Sequence, residues 1–186
     1  VSFAIPEKSL GFWMRRLDKA TFTYEGPVRR FGEDVITLAD PDGLPLELIA
    51  TPHLKGTRLE NGSDISLEHA VRGFHSVTLL ESQGRRTDTF LRETLGFHVV
   101  GREGLRTRYG ATNGTGGSFV DVVVAPDVEN GEVAVGTIHH VAYRTPDGGE
   151  QLSWQQRIRY AGVPVTPVID RQYFSSIYFR EPGGAL

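Results

Sequence analysis

The sequence predicts an α+β fold built from three copies of one βαβββ unit. Each copy begins with a short apolar strand, continues into an amphipathic helix and closes with strands joined by glycine-rich turns. The first and third copies also share one register. Arg30 corresponds to Arg171 and Asp40 corresponds to Glu181, both at an offset of 141 residues. A pattern that repeats in this way indicates one supersecondary unit used three times.

The first copy starts with the strand "VSFAIP" and closes with "VITLADPDGLPLELI". Between them, Leu10, Trp13, Met14 and Leu17 occupy positions i, i+3, i+4 and i+7. This spacing places four apolar side chains on one face of a helix. We therefore expect a helix here that packs its apolar face on the strands of its own unit.

The second and third copies follow the same order. The second runs from "HSVTLL" through the helix "TDTFLRETLGF" to "GGSFVDVVVAP", and Gly96 stands where a helix would end in a left-handed residue. The third runs from "HHVAYRTP" through "EQLSWQQRIRYAG", which ends at Gly162, to "YFSSIYFREPGGAL". The glycines predict the C-terminal ends of both helices.

These copies suggest a domain division. Residues 1–52 form the first unit, the polar stretch 53–72 is a linker, and residues 73–186 hold the second unit (73–127) and the third (137–186). The third unit stops inside a hairpin, because "YFREPGG" corresponds to a turn that the first unit continues as "LPLELI". Glu47 of the first unit corresponds to position 188, two residues after Leu186. We expect a carboxylate at that position in a longer parent protein.

Composition and charge narrow the functional classes. Lys+Arg 20 against Asp+Glu 23 gives a net charge of -3, and no long block of one sign suggests nucleic-acid binding. No apolar run approaches the length of about 20 residues that spans a membrane. The absence of cysteine excludes disulfides, thiolate nucleophiles and cysteine metal sites, and is compatible with a cytoplasmic protein. Chemistry on a small molecule is the favoured class.

The dipeptide His139-His140 is the strongest local signal for such chemistry. It opens the alternating stretch "HHVAYR", whose period of two puts His140 and Ala142 on one face and His139, Val141 and Tyr143 on the other. If Val141 and Tyr143 pack under the helix of the unit, His140 faces the opposite side, where the small Ala142 leaves room for a ligand. Taken alone, a strand histidine is more often a hydrogen-bonded structural residue.

Residues near the end of the chain support a functional reading. A turn at "EPGG" would place Tyr178 across from position 188, on a neighbouring strand. Arg171 could hold an anionic oxygen, although a surface salt bridge is an equally good explanation. Ser175 and Ser176 lie in a strand that is otherwise rich in aromatic residues, which suggests that the sheet lines a solvated cavity.

The other histidines carry less information. His75 opens the strand of the second unit and shares a predicted face with Val77 and Leu79. The remaining three suit solvated or turn positions; they are His53, His69 and His98. Two imidazoles and one carboxylate around a metal that keeps open coordination positions would indicate a non-haem Fe(II) or Mn(II) site.

Four stretches of the chain resemble one known family. "GTIHHVAYRTPDGGEQLSWQQRI", "VTPVIDRQYFSSIYFREPGG", "RGFHSVTLL" and "TFLRETLGFHVVG" resemble the vicinal oxygen chelate superfamily of glyoxalase I, bleomycin-resistance proteins and extradiol dioxygenases, and especially its hydroquinone-type ring-cleaving dioxygenases. The resemblance implies four βαβββ modules that form curved mixed sheets in two domains. Residues 1–52 would be the second module, completing the N-terminal domain, and residues 73–186 would be the C-terminal domain, with its last strand truncated.

The resemblance also implies a cofactor and a site. Such proteins bind one Fe(II), sometimes Mn(II), through two histidines and one glutamate. Carried over, His140 is a metal ligand, and His139, Arg171 and Tyr178 are catalytic residues near the substrate and oxygen. The second histidine would precede Val1, whereas in the more usual extradiol arrangement His75 is the partner of His140. A fragment of the protein that supplies only one or two of the metal ligands is expected to bind iron weakly or not at all.

The expected function is therefore an extradiol-type dioxygenase that inserts O2 into a hydroquinone or catechol. Two alternatives stay open: a metal-free small-molecule binder of the bleomycin-resistance type, and a glyoxalase-like metal isomerase or lyase. The expected partners are a small aromatic diol and O2, with no nucleic acid and no membrane. Open sheet edges make a homo-oligomer a further expectation.

Overall fold

The structure is a computed structural model that describes residues 1–52, 64–111, 118–129, 131–132 and 134–186. The first unit contains β1 (Ser2–Pro6), a 3-10 turn (Glu7–Ser9), α1 (Leu10–Lys19), β2 (Tyr24–Arg30), β3 (Glu33–Ala39) and β4 (Pro45–Thr51). The second contains β5 (Phe74–Glu81), α2 (Arg85–Thr89), a π-helical turn (Phe90–Thr94), β6 (His98–Glu103), β7 (Arg106–Gly110) and β8 (Phe119–Val124). The third contains α3 (Gly148–Tyr160), β9 (Ile169–Asp170) and β10 (Ser175–Ser176).

The first two units share one eight-stranded mixed sheet in the order β2-β3-β4-β1-β5-β8-β7-β6. Within each unit the first strand pairs in parallel with the fourth, and the units join where β1 and β5 pair antiparallel. The predicted α+β fold with a mixed sheet is confirmed. The strands on either side of the predicted linker 53–72, β4 and β5, are separated in the sheet by β1, and residues 53–63 lie outside the described residues. The division into domains stays a prediction.

Helix α1 covers one face of the sheet, as its apolar spacing predicts. Leu17 is buried against Ile5, Ile36 and Leu48, and the side chains of Leu10, Trp13 and Met14 pack on the same cluster. A second core forms in the second unit, and its buried members are Leu79, Leu91, Tyr109, Val120 and Val122. Because the apolar side chains lie on the helix side, the polar residues of the strands are left to the opposite face.

A contact across that opposite face shows how strongly the sheet curves. Glu33 on β3 and Arg108 on β7 stand five strands apart in the sheet order. In a flat sheet they would be separated by about 24 Å, yet the Nη1 atom of Arg108 donates to Oε2 of Glu33 at 2.8 Å. The sheet therefore curls into a half-barrel, with charged side chains meeting inside it.

The third unit confirms its helix and corrects its first strand. Asp147 caps α3 by accepting a hydrogen bond from the Glu150 amide at 2.8 Å, and Gly162 follows the helix with a φ of 78°. The predicted strand "HHVAYR" forms no ladder in the described residues. In the first and second units, the first strand pairs in parallel with the fourth strand. In the third unit, the corresponding stretch faces Leu186, because the Val141 amide donates to the Leu186 carbonyl at 2.9 Å.

Two hydrogen-bond patterns support the register between the first and third units. The Val141–Leu186 bond matches the bond from the Val1 amino group to the Pro45 carbonyl, 3.1 Å, in the first unit. The turns also match, because each opens with a carboxylate that accepts two amides from residues i+2 and i+4. These bonds are Asp42 and Leu44 to Asp40, and Gly183 and Ala185 to Glu181.

Within the described ranges, none of the helices combines the length and the apolar character that crossing a bilayer requires.

Candidate functional site

The structure brings together four residues that the sequence singles out. The imidazoles of His139 and His140 approach to 3.0 Å between their Nδ1 atoms. The ring of His140 stands edge-on to the ring of Tyr178 at a centroid distance of 6.2 Å. The guanidinium carbon of Arg171 lies 5.3 Å from the centroid of the same phenol ring. Tyr178 is therefore the centre of the group, with an imidazole on one side and a cation on another.

A short hairpin positions Arg171. It connects β9 to β10, with Ser175 paired to Asp170, and the amide of Arg171 donates to the carbonyl of Phe174 at 2.8 Å. Gln172 has a φ of 70°, and its amide donates to the Asp170 carboxylate at 2.8 Å. The carboxylate stabilises the left-handed turn, and this turn directs the Arg171 side chain back toward Tyr178.

Two bonds to Thr166 fix the backbone of Tyr178. The amide of Thr166 donates to the Tyr178 carbonyl at 2.9 Å, and the Tyr178 amide donates to the Thr166 hydroxyl, also at 2.9 Å. A cleft of about 440 Å³ opens beside this pair. Its lining residues are Pro164, Val165, Thr166, Tyr178, Phe179, Arg180 and Leu186. The phenol thus stands at the edge of a mostly apolar cleft.

The relation between His139 and His140 differs from the prediction. Strand alternation predicts that the two side chains lie on opposite faces, but their rings touch at a centroid distance of 5.3 Å. The reason is that residues 139–144 form no ladder that would impose the pleat. Both side chains are exposed. The two rings meet through their Nδ1 atoms, so Nε2 of His140 points away from His139.

The structure does not bring His75 to this group. His75 is 0 % exposed; its Nδ1 meets the Ser76 hydroxyl at 3.0 Å and its Nε2 meets the Glu33 carboxylate at 3.2 Å. Its ring lies 5.2 Å from that of Phe119. These contacts place His75 inside the half-barrel that the first two units form.

An irregularity in the strand pairing explains the direction of the His75 ring. Phe74 pairs with Phe3 and Ser76 pairs with Ser2, so His75 is an extra residue between consecutive pairs of the β1–β5 ladder. A bulge of this kind re-aims the side chain it carries. His75 therefore does not join Val77 in the core of the second unit, as alternation predicts, and contacts polar residues instead.

His75 belongs to a buried charge network that sequence reasoning missed. Arg108 donates through Nε to Asp121 at 2.8 Å and through Nη1 to Glu33 at 2.8 Å. Arg106 donates to Asp121 at 3.1 Å. Arginine and aspartate at polar positions of alternating strands were a visible signal, but their partners lie up to 75 residues away in the sequence.

Glu33 is held in its charged form by this network. Burial alone would raise its pKa, but hydrogen bonds from His75, Thr51 and Arg108 lower the pKa of Glu33 to about 2. Arg108 is also stacked, with its guanidinium carbon 4.4 Å from the ring centroid of Phe31. Among the described residues, each charged side chain of this network has an opposite partner, and the Arg108–Glu33 pair forms a structural bridge between the two units.

His69 and His98 are the remaining histidines among the described residues. His69 stacks on Phe12 at 4.1 Å, and its Nδ1 meets the Ser9 hydroxyl at 3.1 Å. His98 is exposed at the start of β6. His53 lies outside the described residues. Among the residues that are described, no group of three His, Cys, Asp or Glu side chains could hold a metal ion.

The repeated units and the curved mixed sheet agree with a comparison of protein families. Residues 73–186 match the family described as the Glyoxalase/Bleomycin resistance protein/Dioxygenase superfamily. The chain belongs to this superfamily.

Named relatives add detail. The chain is 37% identical over 185 residues to "Putative ring-cleaving dioxygenase MhqO" of Bacillus subtilis (strain 168), covering 100% of the chain and 58% of that protein. It is 31% identical over 192 residues to "Chlorohydroquinone/hydroquinone 1,2-dioxygenase" of Sphingobium indicum, covering 100% of the chain and 59% of that protein. The chain thus spans somewhat more than half the length of these relatives.

Solved structures show the same fold. A crystal structure described as a "putative dioxygenase" from Bacillus subtilis subsp. subtilis str. 168 has a TM-score of 0.90 and 37% identity, covering 98% of the chain and 57% of that structure. Glyoxalase I from Zea mays has a TM-score of 0.69 at 15% identity, covering 100% of the chain and 64% of that structure. The second likeness concerns the fold alone.

Proposed function

We propose that the chain is part of a metal-dependent, ring-cleaving dioxygenase that acts on a hydroquinone or catechol with O2. The observation that carries the proposal is the group of His139, His140, Arg171 and Tyr178 beside an apolar cleft. The names of the two relatives, a ring-cleaving dioxygenase and a hydroquinone 1,2-dioxygenase, support the reaction class.

The residues present fit part of a mononuclear iron site. Ligating histidines typically use one ring nitrogen for the metal and the other for a neighbouring group, and His140 meets His139 through Nδ1 while Nε2 is turned away from it. His140 would be one ligand. If the register of the first unit also holds in the third, position 188 of a longer chain would lie next to Val141, as Glu47 lies next to Val1 in the first unit. A carboxylate there, with a histidine preceding Val1, would complete the site for Fe(II) or Mn(II).

A bound Fe(II) would supply the transfer of electrons between the diol and O2. The residues of the chain would orient the substrate and transfer protons to and from it. The Tyr178 phenol and the His139 imidazole would exchange protons with the substrate hydroxyl groups. Arg171, which stands over the phenol ring, would stabilise negative charge that develops on oxygen. The ring would open next to a hydroxyl-bearing carbon, giving a carboxylate and an aldehyde that together contain both atoms of O2.

This function predicts oxygen uptake by the full-length protein after loading with Fe(II). We expect uptake with hydroquinone or catechol that matches the loss of substrate one to one, measured with an oxygen electrode and by chromatography. The absence of uptake with every dihydroxybenzene would contradict it. Tight binding of an aromatic compound by metal-free protein would instead favour a binding module, and turnover with Ni(II) or Zn(II) without O2 would favour an isomerase.

A change at Tyr178 tests its role in proton transfer. We expect Tyr178→Phe to lower kcat roughly 100-fold, because proton transfer contributes about 10²–10⁴-fold, and to change KM much less. The matched control is Tyr160→Phe, since Tyr160 is 91 % exposed at the end of α3. Steady-state kinetics of both variants provide the comparison, and equal kcat values for Tyr178→Phe and the unmodified protein would remove Tyr178 from the mechanism.

A further inference from the structure

A pair of acidic residues, Glu81 and Glu181, lies where the last turn of the chain meets the second unit. Glu81 ends β5 and is only 6 % exposed, and both of its carboxyl oxygens lack a hydrogen-bond partner in the described residues. Gly183 in the turn packs directly against it, because a Cβ atom at that glycine would overlap the Glu81 carboxyl group. A buried carboxylate without a partner is costly, so this contact needs an explanation.

Glu181, the other member of the pair, is amply hydrogen-bonded. Its Oε2 accepts the Thr87 hydroxyl and the Gly183 amide, each at 2.7 Å, and its Oε1 accepts the Ala185 amide at 2.7 Å. The Glu181 carboxylate thus has three donors. They also occupy both oxygens, which disfavours a metal ion shared with Glu81. A proton on Glu81 removes the charge that has no partner.

We propose that Glu81 and Glu181 hold one proton between them, on Glu81, and that this proton keeps the Glu181–Ala185 turn docked on β5 and α2. Loss of the proton places two negative charges in one buried contact and releases the turn. Since Tyr178 lies three residues before the turn, release would also loosen the strand that carries it. The proposal concerns this contact alone and does not depend on the proposed chemistry.

The groups that face the pair agree with this assignment. Thr87 reaches it from α2, Gly183 from the turn itself, and Tyr143 from the segment before α3. Burial raises the pKa of the Tyr143 phenol, and the Glu181 charge adds a smaller upward contribution. Burial raises the pKa of Glu81 to about 7 against the opposing effect of the nearby Thr87 hydroxyl, and the negative charge of Glu181 adds a smaller upward contribution. No basic side chain is among the groups found to face Glu81 in the described residues.

The sign of the pH dependence follows from this raised pKa. Below the ordinary value of 4.5, both the docked and the released states carry the proton. Between about 4.5 and 7 the docked state keeps a proton that the released state has lost. Docking therefore weakens as the pH rises through this range, and the weakening is complete above the docked pKa of about 7.

The experiment is a carboxyl titration by NMR in full-length protein labelled with 13C at the glutamate side chains. We expect the Glu81 carboxyl to titrate at least 1.5 units above the ordinary value, with a lower midpoint in Glu181→Gln. Millimolar Ca²⁺ or Mg²⁺ should leave the midpoint unchanged. A Glu81 midpoint below 5, or one that divalent cations shift, would overturn the proposal.

Hydrogen exchange gives an independent readout of docking. After correction for intrinsic exchange, we expect protection of the Gly184 amide, which donates to the Glu181 carbonyl, to fall at least tenfold between pH 5.5 and 8.5. Glu81→Gln should keep the protection at the higher pH. The internal control is the Gly43 amide, which makes the same bond to Asp40 in the first unit. Identical pH profiles for the two amides would contradict the proposal.

Discussion

Asp121→Asn is expected to lower the free energy of unfolding by about 3–5 kcal/mol, the usual cost of breaking a buried ion pair on one side. Asp121 is 1 % exposed and accepts three hydrogen bonds, two from Arg108 and one from Arg106. Removing its charge leaves two buried or half-buried cations with one carboxylate, Glu33, to balance them. The corresponding loss in Tm is roughly 10 °C, at about 2–4 °C per kcal/mol for a chain of this size.

The matched control is Asp34→Asn. Asp34 pairs with Arg29 at 3.1 Å near the surface, where the Arg29 and Asp34 side chains are 63 % and 41 % exposed, and such pairs contribute about 0–1 kcal/mol. Chemical denaturation of both variants measures the difference. A double variant with Glu33→Gln should show a non-additive loss, because both carboxylates bind Arg108. Equal, small losses for Asp121→Asn and Asp34→Asn would show that the network does not bridge the two units.

The second large effect is expected for His140→Ala, in activity and in metal content. If His140 is a metal ligand, the full-length variant should retain less than about 1% of the oxygen uptake, because even residues that only orient metal ligands are worth 10–100-fold. Its Tm without metal should stay within a degree or two, since His140 is exposed. Metal analysis of the purified variant should show far less iron per chain than the unmodified protein.

His75→Asn separates the two arrangements of ligands. Because His75 is buried against Glu33 and Ser76, we expect this variant to lose stability but to keep its iron content. His98→Ala, at an exposed position on β6, should change neither property. Loss of iron in the folded His75→Asn variant would favour the arrangement in which His75 is a ligand.

Local patterns predicted the elements that local forces determine. The apolar spacing of α1, the glycines after two helices and the turn shared by Asp40 and Glu181 all have causes within a few residues of each other. The strand at His139–His140 failed because a strand exists only with a partner, and Leu186 is the residue that faces it.

Other features of the site could not be read from a local pattern. Alternation cannot foresee the bulge that turns His75 away from the second core, since the bulge depends on the β1–β5 register. The pairing of Arg108 with Glu33 depends on the curl of a sheet in which these residues are five strands apart. Glu81 and Glu181 likewise meet only because the last turn folds back onto β5.

The most direct test of the proposed activity is isotope labelling with 18O2 in the full-length, iron-loaded protein, followed by rapid quenching and mass spectrometry. A ring-cleaving dioxygenase should give a ring-opened product with one 18O atom in the new carboxylate. The other 18O atom should appear in the new aldehyde, which exchanges with water over time. A product of hydroquinone or catechol that contains no 18O in its carboxylate would contradict the account.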